Sequence, residues 1–274
     1  MKELAGRVAA ISGAASGIGR ALAIDLAARG THLALSDVDE DGLLQTVRSC
    51  ETTSVSITTS NVDVSDRDAV YAWADAVVAE HGRVNMIFNN AGVNLTREVK
   101  AQTIEDIAWV MDIDFWGVVH GTQAFLPHLR ASGEGHVINI SSVFGLLSIP
   151  TQSAYNAAKF GVRGYTDALR IELDLERASV SATTVHPGGI KTSIARNARS
   201  ADPEGIGERF DKMAKTSPEK AARQIIKAVQ RNRRRALIGP DAVFFDLTSR
   251  MPAAVNQRIV RSASRRASRG LPKT

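Results

Sequence analysis

Tyr155 and Lys159, in the run Ser153-Ala154-Tyr155-Asn156-Ala157-Ala158-Lys159, place a phenol and an ammonium four positions apart, a spacing that shares one helical face. A phenol titrates near ~10 in isolation, and an adjacent cation stabilises the phenolate and draws that value toward neutrality. Such a tyrosine can give or take a proton. Two common residues fall at this spacing on many helices, where a solvated lysine beside a half-buried aromatic is the plainer reading. The upstream segment argues against it: Gly135-His136-Val137-Ile138-Asn139-Ile140 reads as an apolar strand ending in Ser141 and Ser142. Hydroxyls at the carboxyl end of a strand stand where a parallel sheet collects its ligands.

The elements that would position this chemistry begin at the N-terminus. Arg7-Val8-Ala9-Ala10-Ile11 reads as a short buried strand, followed by Ser12-Gly13-Ala14-Ala15-Ser16-Gly17-Ile18-Gly19 and an apolar helical run from Ala21 to Ala28. Glycines permit close backbone approach, and the N–H groups opening a helix suit a pyrophosphate. Asp37 closes the next strand, 18 residues beyond Gly19, about where an acidic side chain accepts hydrogen bonds from an adenosine ribose diol. A 2′-phosphate would be repelled there. No Lys or Arg follows in Val38-Asp39-Glu40, and Ser16 occupies the loop position open to a basic residue, so NAD(H) is expected over NADP(H).

Together these motifs resemble the short-chain dehydrogenase/reductase family, through five separately placed segments spanning most of residues 7–192. The resemblance implies an α/β fold: a single-domain, Rossmann-type, doubly wound parallel sheet of about seven strands with helices on both faces. It also implies that Asn61-Val62-Asp63-Val64 contacts adenine, through Asp63 and Val64. Asn89-Asn90-Ala91-Gly92 would line the cofactor cleft with Asn90, Ala91 and Gly92, and His186-Pro187-Gly188-Gly189-Ile190-Lys191-Thr192 would form the nicotinamide loop with Pro187, Gly188, Ile190 and Thr192. Gly13, Ser16, Gly17, Ile18, Gly19 and Asp37 complete the cofactor set, with Tyr155 and Lys159 at its catalytic end. The family's spacing of thirteen residues before the tyrosine selects Ser142 over Ser141. By this resemblance Tyr155 exchanges the proton of a carbonyl or alcohol, Ser142 orients and polarises that oxygen, and Lys159 binds the nicotinamide ribose and lowers the tyrosine pKa.

One position departs from the pattern. The family commonly carries Asn in an Asn-x-x-Gly segment on the helix before strand five, and here the segment is Asp114-Phe115-Trp116-Gly117. A carboxylate keeps the acceptor, loses the amide donor and favours the ammonium form of Lys159. Asp114 therefore joins the catalytic set, with activity retained and an altered pH profile expected; the plainer reading, a tolerated isostere of the usual Asn, is the one preferred.

With 274 residues, 44% of them hydrophobic, the chain can bury one substantial α/β core. Strands are expected near 7–12, 31–36, 54–60, 84–89, 135–141, 180–186 and 236–239, apolar on both faces and so covered by helices on both sides. The catalytic domain is read as 1–257, with 193–217 as a mobile lid over the substrate and 258–274 as a basic tail. The lone Cys50 excludes an intramolecular disulfide, and Met1–Gly6 lacks the apolar core of a signal peptide, so a cytoplasmic location is expected. No transmembrane segment is expected, because Asn139, Pro150, Gln152 and Asn156 interrupt the long uncharged stretch. Six scattered histidines suggest no metal site.

Residues 231–274 hold 11 Lys or Arg against two acids, net +9, which leaves net −4 in residues 1–230. The sharp reading of this end is a patch for nucleic acid or an anionic membrane; the bland one, a solvated helix end and a partly disordered terminus, is preferred because no nucleic-acid motif accompanies it. Phe144, Leu146, Leu147 and Ile149 border the expected site and point to a hydrophobic alcohol or ketone. Lys191, Arg196 and Arg199 could draw an anionic group, or form the wet face of the lid. Trp109, Trp116 and Phe125 lie on the helical stretch 103–131, whose counterpart in the family pairs subunits; they read equally well as core residues, so a homo-oligomer, dimer or tetramer, is implied by the resemblance alone. The resulting expectation is an NAD(H)-dependent oxidoreductase on a secondary alcohol and its ketone, or an alcohol and aldehyde. The competing reading is an NADH-binding regulator with little turnover.

Overall fold

The computed structural model describes residues 1–50 and 54–268. Seven parallel strands form one sheet: β1 (Val8–Ser12), β2 (His32–Asp37), β3 (Ile57–Asn61), β4 (Met86–Asn89), β6 (Gly135–Ile140), β7 (Val180–Pro187) and β9 (Arg235–Ile238), in the order β3-β2-β1-β4-β6-β7-β9. A two-stranded parallel pair, β5 (Leu95–Thr96) and β8 (Arg199–Ser200), lies outside it. The helices are α1 (Gly17–Ala28), α2 (Glu40–Cys50), α3 (Arg67–His81), α4 (Ile104–Met111), α5 (Gly117–Ala131), α6 (Ser153–Leu175), α7 (Pro203–Met213), α8 (Pro218–Gln230), α9 (Pro240–Ser249) and α10 (Ala253–Ser268). The order reverses between β1 and β4, the point at which doubly wound sheets open a ligand crevice.

Alternation along the strands sorts the core into two layers. Ala9 and Ile11 of β1, with Leu33, Leu35 and Phe88, pack beneath α1, α2 and α8. Val8 and Ala10, with Ala34, Ile87 and Val137, pack beneath α3, α5 and α6, where Trp73 meets Phe125 edge to face at 4.9 Å. Both faces are covered, which is why these strands read as apolar runs. The expected strands all form. The third begins later than expected, at Ile57, and its Thr58 and Ser60 lie on a half-exposed sheet edge. The pair β5 and β8 was invisible to periodicity because each has only two residues.

A polar network crosses the middle of the sheet. Asn89 Nδ2 donates to Asn139 Oδ1 at 2.8 Å, and Asn139 Nδ2 donates to Thr166 Oγ1 at 2.9 Å, joining β4, β6 and α6 in a fully buried setting. A buried amide must be satisfied or it costs about 1–3 kcal/mol. Asn139→Ala leaves Asn89 and Thr166 without these partners. It is expected to lower the unfolding free energy by about 1–3 kcal/mol, measured by urea denaturation with unchanged slope.

Candidate active site

Six strands end at Ser12, Asp37, Asn61, Asn89, Ile140 and Pro187, and the residues expected to do chemistry gather just beyond them. The loop after β1 turns through Gly13, whose φ is +66°, and a Cβ there would stand 2.7 Å from Ala91 Cα. Glycine thus lets the loops after β1 and β4 touch. Asn90 fastens the contact, donating from Nδ2 to Ser12 O and Gly13 O, both at 3.0 Å, while Asn90 and Ala91 N–H groups donate to Ser12 Oγ. Ser16 precedes α1 with no side-chain cap, no acid stands in the first turn formed by Gly17, Ile18 and Gly19, and Gly17 faces Thr192. The helix end is therefore available to an anionic group. Arg20, which sequence reasoning passed over, ties this loop to α2 through Ala15 O, Gly42 O and Thr46 Oγ1.

Asp37 is half-buried and accepts from the Ala15 N–H at 2.9 Å and the Asp39 N–H at 3.1 Å. Asp63 is exposed and accepts from Ser65, whereas Val64 is buried with its side chain against Gly117. Beyond β7, buried Pro187 leads into Gly188, and buried Ile190 bridges to Thr216. Asp241 of α9 clamps this loop by accepting from the Gly189 N–H at 2.6 Å. Its distance in the chain, 52 residues, hid that role.

Ser142, Tyr155, Lys159 and Asp114 converge, and all four are buried. Lys159 Nζ lies 3.2 Å from Asp114 Oδ2, 5.4 Å from the Tyr155 ring centroid and 3.3 Å from Ile140 O, to which it donates. Asp114 Oδ1 accepts from the Val93 N–H at 2.7 Å, and Gly92 backs onto the pair. A π-helical turn, Asp112–Trp116, interrupts the stretch between α4 and α5 where Asp114 turns inward. The wider turn is a recognised feature of functional sites. Ser141 is structural: its hydroxyl donates to Lys159 O at 2.8 Å. His186, fully buried, shares a 2.8 Å hydrogen bond with Ser142 O and is held neutral, its pKa lowered by burial to about 4.

The electrostatics differ from the simple phenol-and-ammonium picture. Burial pushes the Tyr155 phenol up from its ordinary range; Lys159 pulls it down, but Asp114 pushes it up again, and the Ser142 hydrogen bond does not reverse the sum. Burial opposes the Lys159 charge, yet Asp114 and Tyr155 outweigh it and raise the lysine above its usual value. Burial likewise raises Asp114, against the pull of Lys159 and the Val93 N–H. Its two acceptor contacts are those of a carboxylate.

Phe144 packs edge to face on Tyr155 at 6.2 Å, and Phe245 of α9 joins it at 6.4 Å, giving the site an aromatic wall. Leu146 and Leu147 are buried, but Ile149 lines a cavity on the other side of α6. Arg196 is paired with Asp211 and Arg199 stacks on Trp109 at 3.6 Å, so these two charges are committed within the chain, whereas Lys191 is exposed. Phe125 is core and Trp116 is exposed. Among the described residues no group of three or more His, Cys, Asp or Glu is placed to hold a metal ion, and no helix is long and apolar enough to cross a membrane.

Residues 7–203 match the family model described as short chain dehydrogenase. The Mycobacterium tuberculosis protein SadH is 50% identical over 264 residues, covering 95% of this chain and 96% of its own. A crystal structure of a short chain dehydrogenase/reductase from Burkholderia phymatum in complex with NAD aligns with TM-score 0.84 at 31% identity, over 90% of this chain and 94% of that one. Levodione reductase aligns with TM-score 0.78 at 29% identity, over 87% and 98% respectively.

Removing Asp114 would strand a buried ammonium. Asp114→Ala is expected to lower the unfolding free energy by about 3–5 kcal/mol. Asp114→Asn, which keeps an oxygen for the Val93 N–H, should lose less. Urea denaturation of both variants checks the order.

Proposed function

The chain belongs to the short-chain dehydrogenase family of oxidoreductases, and from that premise we propose that it interconverts a hydrophobic secondary alcohol and its ketone with NAD(H). The convergence of Ser142, Tyr155 and Lys159 beyond β6 carries the reading. The fit of a dinucleotide rests on the uncapped, acid-free start of α1 and on the glycine contacts that bring the surrounding loops together. Gly13 through Gly19 would hold its pyrophosphate, Asp37 the adenosine ribose, and Asp63 and Val64 the adenine edge. Asn90 to Gly92, Pro187 to Thr192, Tyr155 and Lys159 would surround its nicotinamide half. When bound, this cofactor supplies the hydride chemistry.

The protein's part is to orient and to move one proton. Ser142 holds the substrate oxygen, and the Tyr155 hydroxyl gives its proton to that oxygen in reduction or takes one in oxidation. Lys159 steadies the ribose and supplies positive charge beside the phenol. Burial and Asp114 push the phenol up, toward the protonated form that the reductive half of the reaction uses. The charge of Asp37, with Val38, Asp39 and Glu40 after it, supports NAD(H) over NADP(H), as does the NAD held by the Burkholderia relative. The aromatic wall of Phe144 and Phe245 favours an apolar substrate. Exposed Trp116, at the end of the π-helical turn, and Ile171 and Leu175 of α6 support a subunit contact through this part of the surface.

Absorbance of the reduced nicotinamide, followed with NAD+ or NADP+ and a panel of apolar secondary alcohols and ketones, tests this. Wild type should turn over with NAD(H), and Tyr155→Phe should lose about 10²–10⁴-fold in kcat while still binding NADH. Binding without turnover on any substrate would favour the regulator.

The pH profile tests Asp114. Reduction needs the protonated phenol and falls as pH rises through its pKa; oxidation needs the phenolate and rises there. Asp114→Asn removes a charge that raises that pKa, so both limbs should move to lower pH in kcat/KM profiles. Unmoved limbs would show that Asp114 does not act on Tyr155.

A further inference from the structure

Beside Tyr155 the structure collects polar atoms that the proton-transferring set does not use. Gln152 immediately precedes α6, one turn before Tyr155, and only 6% of it is exposed. Its Nε2 donates to Thr96 Oγ1 of β5 at 2.7 Å, and its Oε1 is buried without a hydrogen-bond partner. The short ribbon of β5 and β8 sets Ser200, from the 193–217 segment, directly opposite Thr96, and the Arg199 N–H donates to Asn94 O at 2.9 Å. Ser200 Oγ and Asn94 Oδ1 are likewise buried and unmet. Leu95, between Asn94 and Thr96, belongs to the apolar cluster that holds Tyr155 and Phe144. Three unmet polar atoms thus gather where the loop after β4, the start of α6 and the 193–217 segment meet, next to the tyrosine. An unmet buried polar atom costs stability, and several at one place call for a partner.

We propose that these atoms read a second, uncharged hydroxyl on the substrate, so that the protein acts on an alicyclic hydroxy ketone and the matching diol. This rests on the reading of Tyr155 as the group that meets the reacting oxygen. The seam offers only amides and hydroxyls. The charges beside it are committed elsewhere: Arg97 pairs with Asp106 at 2.5 Å, and Arg199 stacks on Trp109. A carboxylate or ammonium placed here would be a buried charge without a counter-charge. A hydroxyl suits the whole set, because it can donate to Gln152 Oε1 or Asn94 Oδ1 and accept from Ser200 Oγ. Helical residues three apart hold their Cβ atoms about 5–6 Å from each other. The two substrate oxygens therefore stand across a six-membered ring and not on neighbouring carbons. The aromatic wall of Phe144 and Phe245 takes the apolar body of that ring. Since Ser200 and Gln152 lie on segments far apart in the chain, one bound hydroxyl also ties the 193–217 segment to α6.

Paired ketones test this on the full chain with NADH: 4-hydroxycyclohexanone against 4-methylcyclohexanone, which keeps the shape without the hydroxyl. Wild type should favour the hydroxy ketone by at least about tenfold in kcat/KM. Gln152→Met/Thr96→Val should lose most of that preference. Because it removes both ends of one hydrogen bond, its urea midpoint should be no lower than that of wild type. Ser200→Ala, which breaks no hydrogen bond within the fold, should cut the preference on its own. Calorimetry on Tyr155→Phe loaded with NADH reads the subsite apart from turnover: 1,4-cyclohexanediol should bind at least about tenfold more tightly than 4-methylcyclohexanol. The proposal is overturned if the diol binds no better than the methyl alcohol, if wild type turns over both ketones equally, or if the variants keep the wild-type preference. Equal turnover of the two ketones would leave the oxidoreductase reading standing without the hydroxyl subsite. Diol-selective binding with turnover of neither ketone would uphold the subsite and count against that reading.

Discussion

A buried ammonium is the constraint around which this site is built. Taking Lys159 out of water costs several kcal/mol unless its charge is met, and the fold meets it from three directions. Asp114 comes from the π-helical turn, Ile140 O from the end of β6, and the Tyr155 ring from the same helix. The Val93 N–H then holds the carboxylate that holds the lysine. For the turn to come this close to α6, Phe115 must seat against Gly161, where a Cβ would stand 2.9 Å from the ring. The same carboxylate acts in two senses: it keeps Lys159 charged, and it holds the Tyr155 proton more firmly. A neutral amide would supply a dipole for the first purpose with less of the second.

Rigidity around that pair comes from polar contacts between loops that leave different strands. Asn90 binds the loop after β4 to the loop after β1, His186 binds β7 to Ser142, and Asp241 binds α9 to the loop after β7. None of these side chains needs to touch a substrate. Each fixes a neighbour's backbone, which is how a site at the ends of several strands keeps its geometry. Beneath them, Asn89 and Asn139 place two amides in an otherwise apolar sheet centre. Their mutual satisfaction selects the β4 and β6 pairing, since a shift would leave both unmet.

Much of this was legible in the chain because local signals agreed. Short apolar runs separated by helical periodicity specified a parallel sheet, and the glycines, Asp37 and the Tyr155 to Lys159 spacing marked its ligand end. What escaped depended on distance or on burial. Asp112-Ile113-Asp114-Phe115-Trp116 reads as ordinary helix, because nothing in residue periodicity marks a hydrogen bond lengthened by one residue. Asp241 acts across 52 residues. Ile149 belongs by position to the loop between Ser142 and Tyr155, yet the turn of α6 puts it on the opposite side. The sign of the Tyr155 shift escaped too. A cation at the right spacing argues for a lowered phenol, and only the folded chain reveals how much burial and a second charge oppose it.

The basic end of the chain shows why a charge count cannot stand for a surface. Its excess divides into two populations with different partners. Arg234 meets Asp174 at 2.5 Å, and Arg235 at the start of β9 reaches Asp167 at 3.3 Å and Asp246 at 3.5 Å, so these two arginines fasten the sheet edge to α6 and α9. The charges of Arg234 and Arg235 are met within the fold. The arginines of α10 are different: the helix runs through residue 258, where composition alone marked a tail, and carries Arg258, Arg261 and Arg265 on exposed positions. Residues 269–274, with Arg269 and Lys273, lie outside the described residues. Because screening confines an exposed charge to about 8 Å at physiological salt, the α10 arginines act on what lies beside them. What lies beside Arg261 and Arg265 is the apolar back of the helix that carries Tyr155 and Lys159.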